Sequence, residues 1–241
     1  MGMMSLELFQ RIIDQAEGSC EAITLASRGE PLLCPGLPEM LAYARGKFLA
    51  MKLNTNASLL TESLCHAILQ AEVNTVVFSM DAATEPAYSQ LRVGGHLEQV
   101  RANIERFHAI RTRDYPTSRT ITRVSGVKVP GSSALEEMEA MWGNLVDQVA
   151  FVTYNPWENT YEQPVNEIST ACSDLWRRMF VWWDGRINPC DVDYQSTLMV
   201  GQANDEGLSD VWRGTEYTAL RTAHLQRQRN QCSPCNRCTV V

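Results

Sequence analysis

Residues 50–81 read AMKLNTNASLLTESLCHAILQAEVNTVVFSMD. Residues 50–54 (AMKLN) form a short apolar strand that runs into Thr55-Asn56. Thr61 supplies a hydroxyl cap for a helix that continues through Glu72. Residues 74–80 (NTVVFSM) carry β-branched residues in the middle and end at Asp81, which marks the next strand. Strand, helix and strand in this order make a right-handed βαβ unit, and its two strands lie parallel. Upstream, residues 22–26 (AITLA) form a strand followed by Gly29-Glu30-Pro31, and residues 38–46 a helix with Pro38 in its first turn. Residues 5–16 form a helix with Ser5 as cap and Leu8, Phe9, Ile12 and Ile13 on one face. Downstream, a helix at 96–112 precedes a strand within 119–129, a helix at 133–144 and a strand at 148–154. Alternation of this kind specifies a parallel sheet with covering helices. No GxGxxG follows a strand, so a dinucleotide site is unsupported. The alternation opens on a helix, whereas an α/β barrel opens on a strand.

After Tyr154 the pattern changes. Asn155 to Gln163 reads as a connection, and residues 180–190 (FVWWDGRINPC) as a hairpin turning at Asp184-Gly185. Trp182 and Trp183 sit on opposite faces of its first strand, so one of them is expected in the core. Residues 207–228 read as one helix with Ser209 as its cap, and the chain then enters Cys232-Ser-Pro-Cys235-Asn-Arg-Cys238.

Twenty-one Lys and Arg against 28 Asp and Glu give a net charge of −7, which argues against nucleic-acid and anionic-membrane surfaces. The apolar runs are too short to span a bilayer, and residues 1–14 lack the basic start and apolar core of a signal peptide. The expected location is the cytoplasm, where eight cysteines point to metal binding before disulfides. Cys20, Cys34 and Cys65 are scattered and read as ordinary packing residues, with Cys34 nearest the strand-end rim. Cys172 and Cys190 are brought together by the hairpin turn, and Cys232, Cys235 and Cys238 form a CxxCxxC. Clustered thiolates favour an iron–sulfur cluster or zinc, with disulfides or free thiols as the third possibility. His66, His96, His108 and His224 have no metal spacing, and surface or packing roles are expected for all four.

Taken in order, these segments resemble a radical SAM enzyme with a C-terminal SPASM or shorter "twitch" domain. Gly29-Glu30-Pro31 resembles the GEP segment that lies along the methionine part of S-adenosylmethionine (SAM). Asn54-Thr55-Asn56-Ala57 resembles the TNG turn, and Ser79-Met80-Asp81-Ala82 the SxDG strand end, each with alanine where glycine is usual. Leu91-Arg92-Val93-Gly94-Gly95 resembles the following segment, whose arginine lies near the cofactor. Cys172-x12-Gly185-x4-Cys190 resembles the SPASM signature, and Val211-Trp212 its helix. The CxxxCxxC that binds the SAM-chelating cluster in this family does not occur in residues 1–241.

The resemblance implies a partial (β/α)6 TIM-like barrel over residues 1–160, missing its first strand, and a small α+β SPASM/twitch domain over 161–241. It implies SAM-rim residues Gly29, Glu30, Pro31, Asn54, Ser79, Asp81 and Arg92. Cys172, Cys190, Cys232 and Cys235 are the implied ligands of one auxiliary [4Fe–4S] cluster, with Cys238 an alternative ligand or a spare. SAM and a second [4Fe–4S] cluster are expected only together with a CxxxCxxC segment, lost or omitted ahead of Met1. The expected activity is 5′-deoxyadenosyl-radical oxidoreductase chemistry on a small-molecule, sugar or peptide substrate, with flavodoxin or ferredoxin as reductant. The alternative is an iron–sulfur or zinc module for electron transfer or scaffolding without radical catalysis.

Overall fold

The computed structural model describes residues 2–128, 134–154 and 157–241. Two compact units divide the chain: Glu17–Tyr154, and Met1–Ala16 together with Asn155–Val241. Helix α1 (Leu6–Ala16) therefore groups with the C-terminal residues and not with the sheet, which differs from the expected division at residue 160. Its apolar face explains why. Leu8 enters a cluster with Ile187, Val200, Leu208, Val211 and Tyr217, with Ile12 packed against it. Arg11 Nε donates to Ala203 O (2.8 Å), and Leu208 N–H to Gln15 Oε1 (2.8 Å). Ser5 caps α1 as expected, accepting from Leu8 N–H at 3.1 Å.

The unit of residues 17–154 is a five-stranded parallel sheet with covering helices. In chain order it runs β1 (Ala22–Leu25), α2 (Leu37–Ala44), β2 (Ala50–Thr55), α3 (Glu62–Gln70), β3 (Thr75–Ser79), α4 (Glu85–Leu91), α5 (Leu97–Asp114), β4 (Ile121–Lys128), α6 (Ala134–Trp142) and β5 (Gln148–Thr153). The strand order is β1-β2-β3-β4-β5, with Leu25 beside Leu53, Thr55 beside Phe78, and Ser79 beside Ser125. All four pairings are parallel, so the C-terminal ends of the strands lie on one edge of the sheet. Central β3 buries Val76, Val77 and Phe78 in succession, as a strand covered on both faces does. Phe78 meets Phe107 of α5 edge-to-face at 6.0 Å. Thr61 caps α3 through its hydroxyl (3.3 Å from Leu64 N). The alternation did not anticipate α4. The expected start of α6, Ser133, and the start of the expected connection, Asn155-Pro156, lie outside the described residues.

In the second unit β6 (Phe180–Val181), β7 (Arg186–Asn188) and β8 (Gly201–Gln202) form a small antiparallel sheet. The hairpin is where the sequence puts it, while β8 is an addition. Neither tryptophan is fully buried: Trp182 is half-buried and Trp183 exposed. The helix expected over 207–228 is two helices, α7 (Leu208–Arg213) and α8 (Thr215–Leu225), separated by Gly214 in extended conformation. Gly207, rather than Ser209, is the capping residue of α7. Among the described residues no helix is long and apolar enough to cross a membrane.

Candidate metal centre and strand-end rim

The site begins at the β6–β7 turn. Gly185 has φ +88, and a Cβ there would stand 2.4 Å from both Asn204 Nδ2 and Gln202 Oε1. Only glycine closes this turn without strain, and its closure sends β7 toward Cys190. The loop after Cys190 is then fixed by one carboxylate. Asp193 is fully buried and accepts from Thr197 N–H (2.9 Å), Thr197 Oγ1 (3.1 Å), Leu198 N–H (2.7 Å) and the Tyr161 hydroxyl. Asn188 Nδ2 donates to Asp193 O at 2.7 Å. Burial pushes the Cys190 thiol up to about 12, against the lowering effect of the Asp193 and Val192 amides.

The second cysteine group sits on tight turns after α8. Cys232 N–H donates to Arg229 O (3.0 Å), Asn236 N–H to Cys232 O (2.8 Å), and Val240 N–H to the Cys238 sulfur (3.4 Å). Asn166 ties this loop back, with its amide N–H on Asn236 O (2.8 Å) and its side chain on Cys238 O (3.3 Å). Burial raises the Cys235 thiol, and Cys190, Cys232 and Cys238 raise it further. Burial likewise raises Cys238, on which Cys172 also acts. Cys190, Cys232 and Cys238 thus act on the Cys235 thiol, and Cys172 on that of Cys238. All are free thiols. Among the described residues no three His, Cys, Asp or Glu side chains converge on a single-ion position. The Val240 N–H on the Cys238 sulfur, and soft sulfur throughout, fit a thiolate-bound cluster.

Two buried residues on the α8 side stand out: His224, in the packing role that was one of its two expected ones, and Arg229, which was not singled out. His224 is 1% exposed; its Nδ1 accepts from Cys172 N–H at 3.2 Å, and its Nε2 has no partner. Burial, and then Arg229, lower its imidazole to about 4, so it is neutral at physiological pH. Arg229 is also 1% exposed. The available sequence signal was periodicity: Tyr217, Leu220 and His224 share the buried face of α8.

The other expected site residues gather at the C-terminal ends of the strands. Glu30 Oε1 accepts from Leu32 N–H (3.0 Å) and Thr55 Oγ1 (2.7 Å), and its Oε2 from Asn56 N–H (2.7 Å). It locks the segment after β1, with Gly29 at φ +108 and Pro31 opening a 3-10 turn, onto the segment after β2. Asn54 Nδ2 donates to Ala26 O (3.2 Å), while Asn54 Oδ1 is buried without a partner. Asp81 Oδ2 accepts from Arg92 Nε (2.8 Å), and its Oδ1 from Val127 N–H (3.2 Å). Arg92 is therefore paired with Asp81, and Ser79 lies beside them at the end of β3. Ala57 adopts φ +58, the left-handed conformation that suits the glycine usual there; Ala82 does not. Cys65 is fully buried, with its thiol pushed up by burial to about 11, whereas Cys20 is exposed.

Residues 172–239 match the SPASM family, an iron–sulfur cluster-binding domain. The AdoMet-dependent heme synthase of Methanosarcina barkeri is 28% identical over 116 residues, covering 48% of this chain and 32% of that protein. The chain spans about a third or less of the length of the curated relatives it matches. Among solved structures, Streptococcus suis SuiB bound to precursor peptide SuiA superposes with TM-score 0.74 at 16% identity, covering 92% of this chain and 61% of that one. BtrN in complex with AdoMet and 2-DOIA gives TM-score 0.63 at 16% identity, covering 100% of this chain and 82% of that one. At this identity the likeness speaks to the fold.

Proposed function

We propose that this chain, a radical SAM/SPASM-type protein, holds one auxiliary [4Fe–4S] cluster on Cys172, Cys190, Cys232 and Cys235, with Cys238 as an alternative ligand. The observation that carries this reading is that hydrogen bonds tie the cysteine segments down: Asn166 bonds to Asn236 O (2.8 Å) and Cys238 O (3.3 Å), Cys172 N–H to His224 of α8 (3.2 Å), and Asp193 braces the loop after Cys190. Bound there, the cluster supplies one-electron chemistry or a substrate anchor. The chain's own part is to present thiols from rigid turns and to shield them from water. Residues 161–241 act as the SPASM/twitch domain. The five-stranded sheet is read as the wall of a partial (β/α)6 barrel.

The strand-end rim is the place for SAM. Gly29, Glu30 and Pro31 would lie along its methionine part, with Asn54, Ser79, Asp81 and Arg92 around the rest. The unpartnered Asn54 Oδ1 supports this, since a buried acceptor needs a donor. Radical generation would need the CxxxCxxC cluster, a motif that residues 1–241 do not contain. Where such a segment joins this chain, the activity is 5′-deoxyadenosyl-radical oxidation of a small-molecule or peptide substrate, fed by flavodoxin or ferredoxin in the cytoplasm. Where none does, the chain is an iron–sulfur module for electron transfer or scaffolding. Electron paramagnetic resonance of anaerobically reconstituted, dithionite-reduced chain tests the cluster reading. A reduced [4Fe–4S] signal is expected; stoichiometric zinc without sulfide contradicts it. Calorimetry with SAM tests the rim reading: residues 1–241 alone should bind weakly, because the methionine end lacks its iron anchor, and tight binding would contradict that argument.

A further inference from the structure

The cysteine loop is built around a buried cation. The Arg229 guanidinium donates only to backbone carbonyls: Nε to Cys235 O (3.1 Å), Nη1 to Thr170 O (3.2 Å), and Nη2 to Cys238 O and Val240 O (both 2.7 Å). Thr170 lies two residues before Cys172, so one side chain gathers the segments that carry Cys172, Cys235 and Cys238. Among the described residues no carboxylate pairs with it. Asp174, the acidic group that acts on Cys238, is taken by Arg178 at 3.3 Å. A guanidinium does not give up its proton in a protein, and a charge removed from water needs an opposite charge close by. Carbonyl dipoles solvate it but leave its net charge uncompensated. That charge acts on the sulfurs of Cys235 and Cys238 and on the His224 imidazole. A second polar group beside the site also lacks a partner, the buried Nε2 of His224. With Nδ1 accepting from Cys172 N–H, the proton sits on Nε2, which makes it a donor awaiting an acceptor.

We propose that Arg229 is the fixed counter-cation and the positioning residue of the auxiliary cluster, a proposal that rests on the iron–sulfur reading above. Four thiolates make a [4Fe–4S] centre anionic, and reduction adds one more negative charge. A cation held beneath the loop favours both retention of the cluster and its reduced form. The four hydrogen bonds set the loop, and the charge sets the redox equilibrium.

Arg229→Gln and Arg229→Lys separate the two roles. In spectroelectrochemical titration of the reconstituted chain, Arg229→Gln is expected to shift the one-electron equilibrium at least tenfold toward the oxidised form, about 59 mV more negative. Arg229→Lys keeps the charge and is expected to hold that equilibrium within about threefold, while losing iron faster to a chelator, because an ammonium cannot reach four carbonyls. Variants that fold, match the wild-type equilibrium and keep iron equally well overturn the proposal. Should neither variant fold, the wild type decides. Cluster-free protein must melt below loaded protein, and equal melting temperatures would mean that the cation needs no anion. A wild type that takes up no iron or sulfide instead contradicts the cluster reading itself.

Discussion

Replacing Gly185 by alanine probes the turn that delivers Cys190. At φ +88 an L-residue pays about 1–2 kcal/mol relative to glycine. The new Cβ also falls 2.4 Å from Asn204 Nδ2 and Gln202 Oε1. Both are ends of flexible side chains, so they move aside, but Asn204 then loses its 2.9 Å bond to Asp184 O. A hydrogen bond of this kind is worth about 0.5–1.5 kcal/mol net. Alanine returns about 0.4–1 kcal/mol by restricting the unfolded chain. The balance is a destabilisation of about 2 kcal/mol. Urea denaturation followed by tryptophan fluorescence reads it in the right unit, since Trp142 is the only one of the chain's six tryptophans within residues 17–154. Iron retention should fall in parallel, because the strained turn leads through β7 to Cys190. A change below about 0.5 kcal/mol would refute the reasoning, leaving neither the strain nor the close contact with a measurable effect.

Leu8→Ala should destabilise that same fluorescence transition by about 2–5 kcal/mol, because Leu8 is 7% exposed within the Ile187–Val211 cluster; an effect confined to the sheet unit would place α1 wrongly. Ala57→Gly should be close to neutral by denaturation, within about 1 kcal/mol, since relief of a left-handed alanine offsets the lost methyl and the added chain entropy; an ordinary buried-methyl loss would argue against the turn. Asp147 is held down to about 2, first by its hydrogen bond with Arg111 and then, against desolvation, by Thr122. A depressed carboxylate stabilises above its unfolded pKa of about 4 and loses that stabilisation as pH falls through the folded value. The side chain is 41% exposed, so Asp147→Asn should cost only about 1 kcal/mol at neutral pH. Denaturation curves of the two proteins should converge near pH 2, and a gap that persists there would contradict the assignment.

Residues 50–81 were legible because each signal in them is local: a capping threonine, an apolar run, a β-branched strand. The Asp184-Gly185 turn was legible for the same reason. What escaped depends on partners far away in sequence. The apolar face of α1 announces burial but not its partner, and that partner lies about 190 residues on, at Ala203 and Leu208. Residues 207–228 kept helical composition across Gly214, so the break there was invisible. Two-residue β8 is too short to carry a period. Arg229 and His224 gain their roles from Thr170 and Cys172, 59 and 52 residues away, and neither has a metal-ligand spacing. The cysteine spacing pointed to soft-metal chemistry; the buried Arg229 cation beside those cysteines became visible only in three dimensions.

The central claim is that Cys172, Cys190, Cys232 and Cys235, with Cys238 as an alternative ligand, hold one iron–sulfur cluster. The most direct measurement is quantitation of iron, acid-labile sulfide and zinc in anaerobically reconstituted chain, alongside a Cys235→Ser/Cys238→Ser double variant and Cys65→Ser. About four irons and four sulfides per chain are expected for the wild type and Cys65→Ser, with loss of both in the double variant. Zinc without sulfide, or iron that survives removal of both the Cys235 and Cys238 thiols, would contradict the claim.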